Sequence, residues 1–527
     1  MKNFVLLGIL ILILSACQSS GSAAGQRTLQ QGVNGNLSYI GRYSVGAVNE
    51  DGGIAEIVVF NKDNKRIYMV NGALGSLDIV DTSALRSGRF TELALTSRID
   101  IRAMGAANGF EYGDLTSAAI STKNKLIALS VQHSSYSEPG YIVLVNYDGE
   151  YIRHYRAGVQ PDMILFTPDE QYILTADEGE PREGYAARAI DPPGSVTIVN
   201  VSTNEVRVVG FGAFDGASAR TAFLQSGGIL NRGANPSLDF EPEYIAVSDD
   251  SRTAWVSLQE ANALAALDIA SGTFTSVFGL GFKDHNLSHN SLDALRNGKA
   301  ELAVQNIYGV YMPDGIAAVT VQGTTYILTA NEGDAREWGT GANAYADITA
   351  YSIEGNRIDV LDNTKKDGLE EGKKYILGAR SFSIWDVSGG SARLVYDSGN
   401  EFETHTASYF PANFNASHTN NDLDSRSGRK GPEPEYVTTL RIGNRTYAII
   451  GLERIGGIMV YDITNPQSSV FYDYINTRDF AGSGLAQMGD LGPEGISAVP
   501  ASDSPTRRPL IFVANEVSGT IAVFEAR

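Results

Sequence analysis

Seven short apolar runs in this chain each begin directly after a carboxylate: Glu56, Asp114, Asp162, Glu243, Asp314, Glu435 and Glu494. In five places a second run follows and ends on another acid, at Glu178, Glu260, Glu332, Glu453 and Glu516; Gly72 and His133 stand near that place in the first two copies. Adjacent antiparallel strands set the start of one beside the end of the next. Leading and trailing acids therefore belong on one edge of each sheet. In a ring of seven such sheets, up to twelve carboxylates converge on one mouth of the central channel. Like charges held that close require cations, protons or basic side chains beside them. Oxygen ligands of this kind favour Ca²⁺, with Mg²⁺ second. Zinc has little support, because the six His are scattered with no HExxH-type pair and the chain has a single Cys. An acid before an inner strand also has a plain structural use, capping backbone N–H groups, but that use does not explain why leading and trailing acids come in pairs.

Basic residues recur on the same edge. Arg182 and Arg336 follow two of the trailing acids, Arg454 follows Glu453, and Arg380 opens a third strand. Lys283 and His285 lie in GFKDHN, and Arg426, Arg429 and Lys430 in SRSGRKGPEPE. Metal beside guanidinium is the chemistry of phosphate-ester recognition. Arg336, Arg380, Arg454, Lys283 and His285 are the candidate phosphate binders on this reading, and simple neutralisation of the acids is the alternative. No Ser-His-Asp order, nucleophile elbow or phosphate-binding loop is visible, and HNLSHN at 285–290 suits a polar loop.

The elements that must position these groups are four-strand units. The clearest runs YIAVSDD, TAWVSLQE, ALAALDI, TFTSVFGL within Glu243–Leu280. Each run is short, rich in apolar and β-branched residues, and bounded by Asp, Gly, Ser or Asn. The copy at Glu56 runs IVVFN, RIYMVNG, GSLDIVD, with FTELALT as the expected fourth strand. Four-strand repeats of about 40 residues are the mark of propeller blades. The last copy has three strands, and LSYIGRYSV at 37–45 is free to supply its fourth. The expectation is an all-β, seven-bladed β-propeller closed by an N-terminal strand, one domain over 37–527. Long inserts at about 178–194, 211–240, 281–312, 333–378, 401–432 and 480–492 emerge beside the carboxylates, where loops on a rigid scaffold carry function.

The leader MKNFVLLGILILILSACQSS resembles a bacterial lipoprotein signal over 1–17, with lipid on Cys17, the only cysteine. Residues 18–36 make a flexible Ser-, Gly- and Gln-containing tether. Gln18 directs the expectation to the outer membrane of a bacterial envelope, facing the periplasm or the exterior. The formal net charge of -20 opposes nucleic acid and anionic membrane surfaces as partners. The membrane contact expected is through the lipid alone, and a monomer is expected.

Longer phrases carry a resemblance. ILTADEGEP, DFEPEYIAVS, YMPDGIAA, ILTANEGDAR, GARSFSIWD, GPEPE, GLERIGGIMVYDIT, YINTRDF, DLGPEGIS and FVANEVSGT, with GFKDHN, resemble the choice-of-anchor I domain family from about residue 37 to 527. That group includes chains described as mesenchyme-specific cell surface glycoprotein-like and others labelled alkaline phosphatase-like. The resemblance implies a surface propeller held by whatever anchor its host uses, and an acidic mouth similar in kind to that of propeller phytases. Two functions follow: a Ca²⁺-dependent phosphomonoester hydrolase, or a non-catalytic module that binds a protein or glycan around structural Ca²⁺. A quinone-dependent dehydrogenase shares the architecture but is disfavoured by only three Trp and no vicinal cysteines.

Overall fold

Runs such as Thr253–Leu258 and Ala263–Asp268 are buried at five of their six positions. They read as continuous apolar stretches because both faces of the strand are covered. The computed structural model describes residues 29–186 and 189–527. Cys17 and the leader around it lie outside them.

The chain is all-β and propeller-like. Seven sheets succeed one another, six of four antiparallel strands and the last of five, and their first strands are Val58–Asn61, Asp114–Ser121, Pro161–Phe166, Pro242–Val247, Ile316–Val321, Pro434–Ile442 and Pro493–Val499. We number the sheets one to seven in that order. In the seventh, Leu37–Ser44 lies antiparallel to Thr520–Ala526 as the fourth strand. Each first strand packs against the next in chain order, and Val58–Asn61 also contacts Pro493–Val499. Apolar clusters fill the space between neighbours. Phe60 of sheet one stacks on Phe512 of sheet seven with ring centroids 5.5 Å apart, in a cluster with Val58, Ile67 and Leu510.

One expected strand is displaced. Only the end of FTELALT enters the fourth strand of sheet one, which runs Leu95–Asp100 and pairs Ser76 with Asp100. Thr91–Glu92 instead lies parallel to Gly41–Arg42 at the outer edge of sheet seven. Arg98 fixes the true fourth strand by a bidentate contact at 2.6 Å with the buried Asp78.

Four first strands open on the same device. After Pro161, Pro242, Pro434 and Pro493 the pairing register slips and resumes at Ile164, Ile245, Val437 and Ile496. Proline suits a strand's first residue, where no ladder N–H is needed, and a bulge re-aims the side chain it carries. Asp162, Glu243, Glu435 and Glu494 each follow the proline inside that bulge.

Backbone hydrogen bonds join some sheets directly. Gly495 N–H donates to the Glu56 carbonyl at 2.9 Å and Gly315 N–H to that of Glu435 at 3.1 Å. A Cβ on Gly495 would stand 2.6 Å from the Glu56 oxygen. Gly495→Ala is therefore expected to cost about 1–3 kcal/mol by overpacking. Thermal unfolding checks this, and an unchanged melting temperature would contradict the close approach.

The long inserts build a packed second layer rather than loose loops. Leu230–Asn231 pairs with Lys366–Asp367, and Phe282–Asp284, Tyr308–Val310 and Tyr375–Leu377 make a small sheet. These enclose their own core, including Ile229, Met312 and Tyr375.

Candidate metal centre

Ten of the twelve anticipated carboxylates line a single cavity of about 360 Å³; Glu56 and Asp114 do not. Glu56 instead occupies the space a side chain at Gly72 would fill, 2.8 Å from that Cβ position. Asp114 accepts from the Leu115 N–H at 2.8 Å. Two further acids, Glu180 and Asp334, join the lining from the inserts. The floor carries Ile57, Met163, Tyr244 and Tyr436, each one residue past a leading acid. Tyr244 donates to the Tyr436 hydroxyl from two sheets away, and their rings meet edge-on at 5.3 Å. Gly315 stands at the equivalent place in the sheet between them, which leaves room for that contact.

Charge is unbalanced in this cavity. Twelve carboxylates face two cations, Lys430 and Arg454. Both cations gather on Glu433, which lies just outside the lining. Lys430 Nζ is 3.1 Å from Glu433 and 2.5 Å from Glu332, and Arg454 Nε is 2.8 Å from Glu433. Burial works upward on Glu433, but Arg454, Lys430 and Arg426 outweigh it and hold that carboxyl well below its ordinary value. Glu453 is also held down, by Arg454 and His418 against the pull of burial. The remaining acids go the other way. Burial first, then neighbouring carboxylates, pushes Asp162 and Glu260 up to about 7 and Glu332 and Glu516 up to about 8. Glu178, Glu243, Glu435 and Glu494 are driven well above the usual range for the same reasons, with Asp314 raised too. Glu260 Oε2 and Glu435 Oε2 are buried with no hydrogen-bond partner among the described residues.

Three sets of side chains bring ligand atoms within 4.8 Å of one another: Asp314–Glu332–Glu435, Glu332–Glu433–Glu453, and His418–Glu453–Glu516. The first is all oxygen and includes Glu435, whose Oε2 lacks a hydrogen-bond partner among the described residues. Its donor set suits a hard dication.

Four of the five candidate phosphate binders lie elsewhere. Arg336 is fully buried, 2.8 Å from Glu241 and 3.6 Å from Asp239. Arg380 holds Glu403 at 2.7 Å and donates to the carbonyls of Asp293, Ser427 and Arg429. Lys283 is paired with Asp397 at 2.8 Å. His285 is buried with Nδ1 2.6 Å from the Asn290 carbonyl, and burial lowers its ring to about 3. These groups tie the second layer to the sheets, away from the cavity, although Arg336 Nη1, Arg380 Nε and His285 Nε2 are buried there without a hydrogen-bond partner among the described residues. Only Arg454 reaches the cavity. Lys430 joins it because GRKGPEPE turns back over the mouth. Arg182 borders it, 3.6 Å from Glu178 and 3.0 Å from Glu180. His418 had no local signal: SHTN looks like any polar loop, and its partners come from sheets six and seven.

A family model described as "Choice-of-anchor I domain" matches residues 56–466. Gigasin-3a of Magallana gigas is 31% identical over 182 residues, which are 32% of this chain and 63% of that protein. The chain thus spans just under two thirds of that relative's length. Among solved structures, Kuenenia stuttgartiensis hydrazine synthase is 11% identical, with 91% of this chain and 97% of that chain covered at a TM-score of 0.47. The β-propeller domain of Myceliophteria thermophila Cps50 (Swd1) is 8% identical, with 90% and 98% covered at 0.45.

Proposed function

This chain belongs to the choice-of-anchor I domain family, and we propose that it is a closed seven-bladed propeller whose acidic mouth binds divalent cations and hydrolyses phosphomonoesters at a bacterial envelope. The observation that carries this reading is Glu435, whose buried Oε2 has no hydrogen-bond partner among the described residues, beside Asp314 and Glu332 in a cavity of twelve carboxylates and two cations. Ca²⁺ fits the oxygen donors best, with Mg²⁺ second. A dication held there would supply Lewis-acid polarisation of a phosphoryl oxygen and a more acidic bound water. Asp314, Glu332 and Glu435 would hold it. Lys430 and Arg454 would supply positive charge toward the phosphoryl oxygens, with the hydrogen-bonded Tyr244–Tyr436 pair lining the same cavity. In the net step a water oxygen bonds to phosphorus, the ester P–O bond breaks, and the departing alcohol takes up a proton. Lipid on Cys17 would hold the domain to the outer membrane; no helix among the described residues is long and apolar enough to cross a membrane.

A second reading has its own support. The charged donors of Lys430 and Arg454 already face Glu332, Glu433 and Glu453, as in a non-catalytic module where Ca²⁺ is structural and the second layer binds a protein or glycan. Phosphate release from a panel of phosphomonoesters, with Ca²⁺, Mg²⁺ or Mn²⁺ and with chelator, separates the two. Cation-dependent release that Glu332→Gln abolishes is the expected result. No release by a folded, Ca²⁺-binding protein would leave only the second reading.

A further inference from the structure

The cavity acids do not share their cations evenly. Lys430 and Arg454 both lie where Glu332, Glu433 and Glu453 converge. On the side built by sheets three and four and the insert after Glu178 stand Asp162, Glu178, Glu180, Glu243 and Glu260. Arg182 reaches Glu178 at 3.6 Å and Glu180 at 3.0 Å from the rim. Glu243 and Glu260 form no ion pair among the described residues. Arg336, whose charge reaches Glu260, is paired with Asp239 and Glu241 instead.

Glu260 carries the sign of a missing partner. It is 4% exposed and lines the cavity, and its Oε2 is buried with no hydrogen-bond partner among the described residues. A buried charge in that position is unfavourable unless a cation meets it. Burial, then the charges of Glu178 and Glu260, drive Glu243 well above its ordinary value.

The spacing of these acids differs from that of the Ca²⁺ corner. Every set of three ligand atoms within 4.8 Å of one another among the described residues includes Glu332 or Glu453, and none lies on this wall. Oxygens around Ca²⁺ stand about 2.3–2.6 Å from the ion, whereas those around an ammonium stand about 2.7–2.9 Å from its nitrogen. A more widely set group of acids suits the ammonium. The chain holds an example in Lys430, whose Nζ is 2.5 Å from Glu332, 3.1 Å from Glu433 and 3.4 Å from Asp334. Glu243 and Glu260, with Glu178 and Glu180 in their field, offer carboxylates and no lysine.

The two ends of the cavity adjoin. Gln259, the residue before Glu260, donates from Nε2 to Glu332 Oε2 at 2.9 Å, and Glu332 belongs to the dication corner. We propose that Glu243 and Glu260 take an ammonium group of the substrate, which is then a phosphomonoester of a short amino alcohol, its phosphoryl group at Asp314–Glu332–Glu435 and its amine on the wall of sheet four. This rests on the mouth binding a phosphoryl group and names the class of ester it takes.

Calorimetric titration of aminoethylphosphonate and of ethylphosphonate into the full, Ca²⁺-loaded chain tests the subsite, because the C–P bond of both probes keeps them from turning over. The aminoethyl compound is expected to bind about 10- to 100-fold more tightly, the worth of a charge-assisted hydrogen bond. Glu260→Gln should cut that ratio by at least about 5-fold, and Glu243→Gln gives the same test should Glu260→Gln not fold. Equal affinity of the two probes for the wild type, or a ratio that neither substitution changes, overturns the ammonium subsite while the phosphoryl reading stands. If neither phosphonate binds, the phosphoryl reading falls and the subsite with it.

Discussion

In excess chelator the protein is expected to lose stability as pH rises from about 5 to about 8, and Ca²⁺ is expected to restore it. The sign follows from the cavity acids. Asp162, ordinarily 3.8, titrates at about 7 in the folded chain, and Glu332 and Glu516, ordinarily 4.5, at about 8. Between those values the folded state holds protons that the unfolded chain has released. Stability is therefore full below the unfolded values and is lost as pH climbs toward the folded ones. A single carboxyl moved about three pH units corresponds to roughly 4 kcal/mol. These carboxyls share one field, so their contributions do not add. Glu433 and Glu453 act in the opposite sense: both are held below 4.5, so what they contribute is lost only in acid. A bound dication replaces the protons and removes the penalty. Melting temperature measured across this range, with chelator and with Ca²⁺, checks the expectation. A flat profile in chelator would contradict it.

Arg336→Met is expected to cost about 3–5 kcal/mol, because it strands buried carboxylates without their cation. The Arg336 side chain is wholly inaccessible, and those of Asp239 and Glu241 are 3% and 1% exposed. Arg336 Nε and Nη2 also donate to Glu241 Oε2 and to the Asp239 carbonyl, both at 2.9 Å. Methionine fills similar volume but pairs with neither acid. Adding Glu241→Gln should recover part of the loss by removing one stranded charge. Chemical denaturation measures both steps. Ca²⁺ binding, assayed where the variant is folded, should be unchanged because Arg336 does not line the cavity. Loss of Ca²⁺ binding by folded Arg336→Met would return this residue to the mouth.

The mouth was legible in sequence because it is built by repetition. A carboxylate before one apolar run and another at the end of the next fixes the edge on which both lie, whatever the loops do. That logic placed ten cavity acids, and the LSYIGRYSV segment pairs with the last strand as its position suggested. The basic residues were not legible in the same way. Arg336 follows Glu332 as closely in sequence as Arg182 follows Glu178, yet Arg182 borders the cavity while Arg336 turns under the second layer toward Asp239. The difference lies in long-range pairing of the inserts, such as Leu230–Asn231 with Lys366–Asp367, which no local pattern announces. His418 was missed for the same reason. FTELALT misled because its Thr91–Glu92 pair joins a strand 50 residues earlier, and strand propensity does not say which sheet a strand enters.

Calorimetric titration of Ca²⁺ into the chelator-stripped wild type and into Glu435→Gln tests the central claim most directly. Saturable binding by the wild type, raising its melting temperature and greatly weakened in Glu435→Gln, is the predicted result. A folded wild type that takes up no Ca²⁺ or Mg²⁺ would contradict the account.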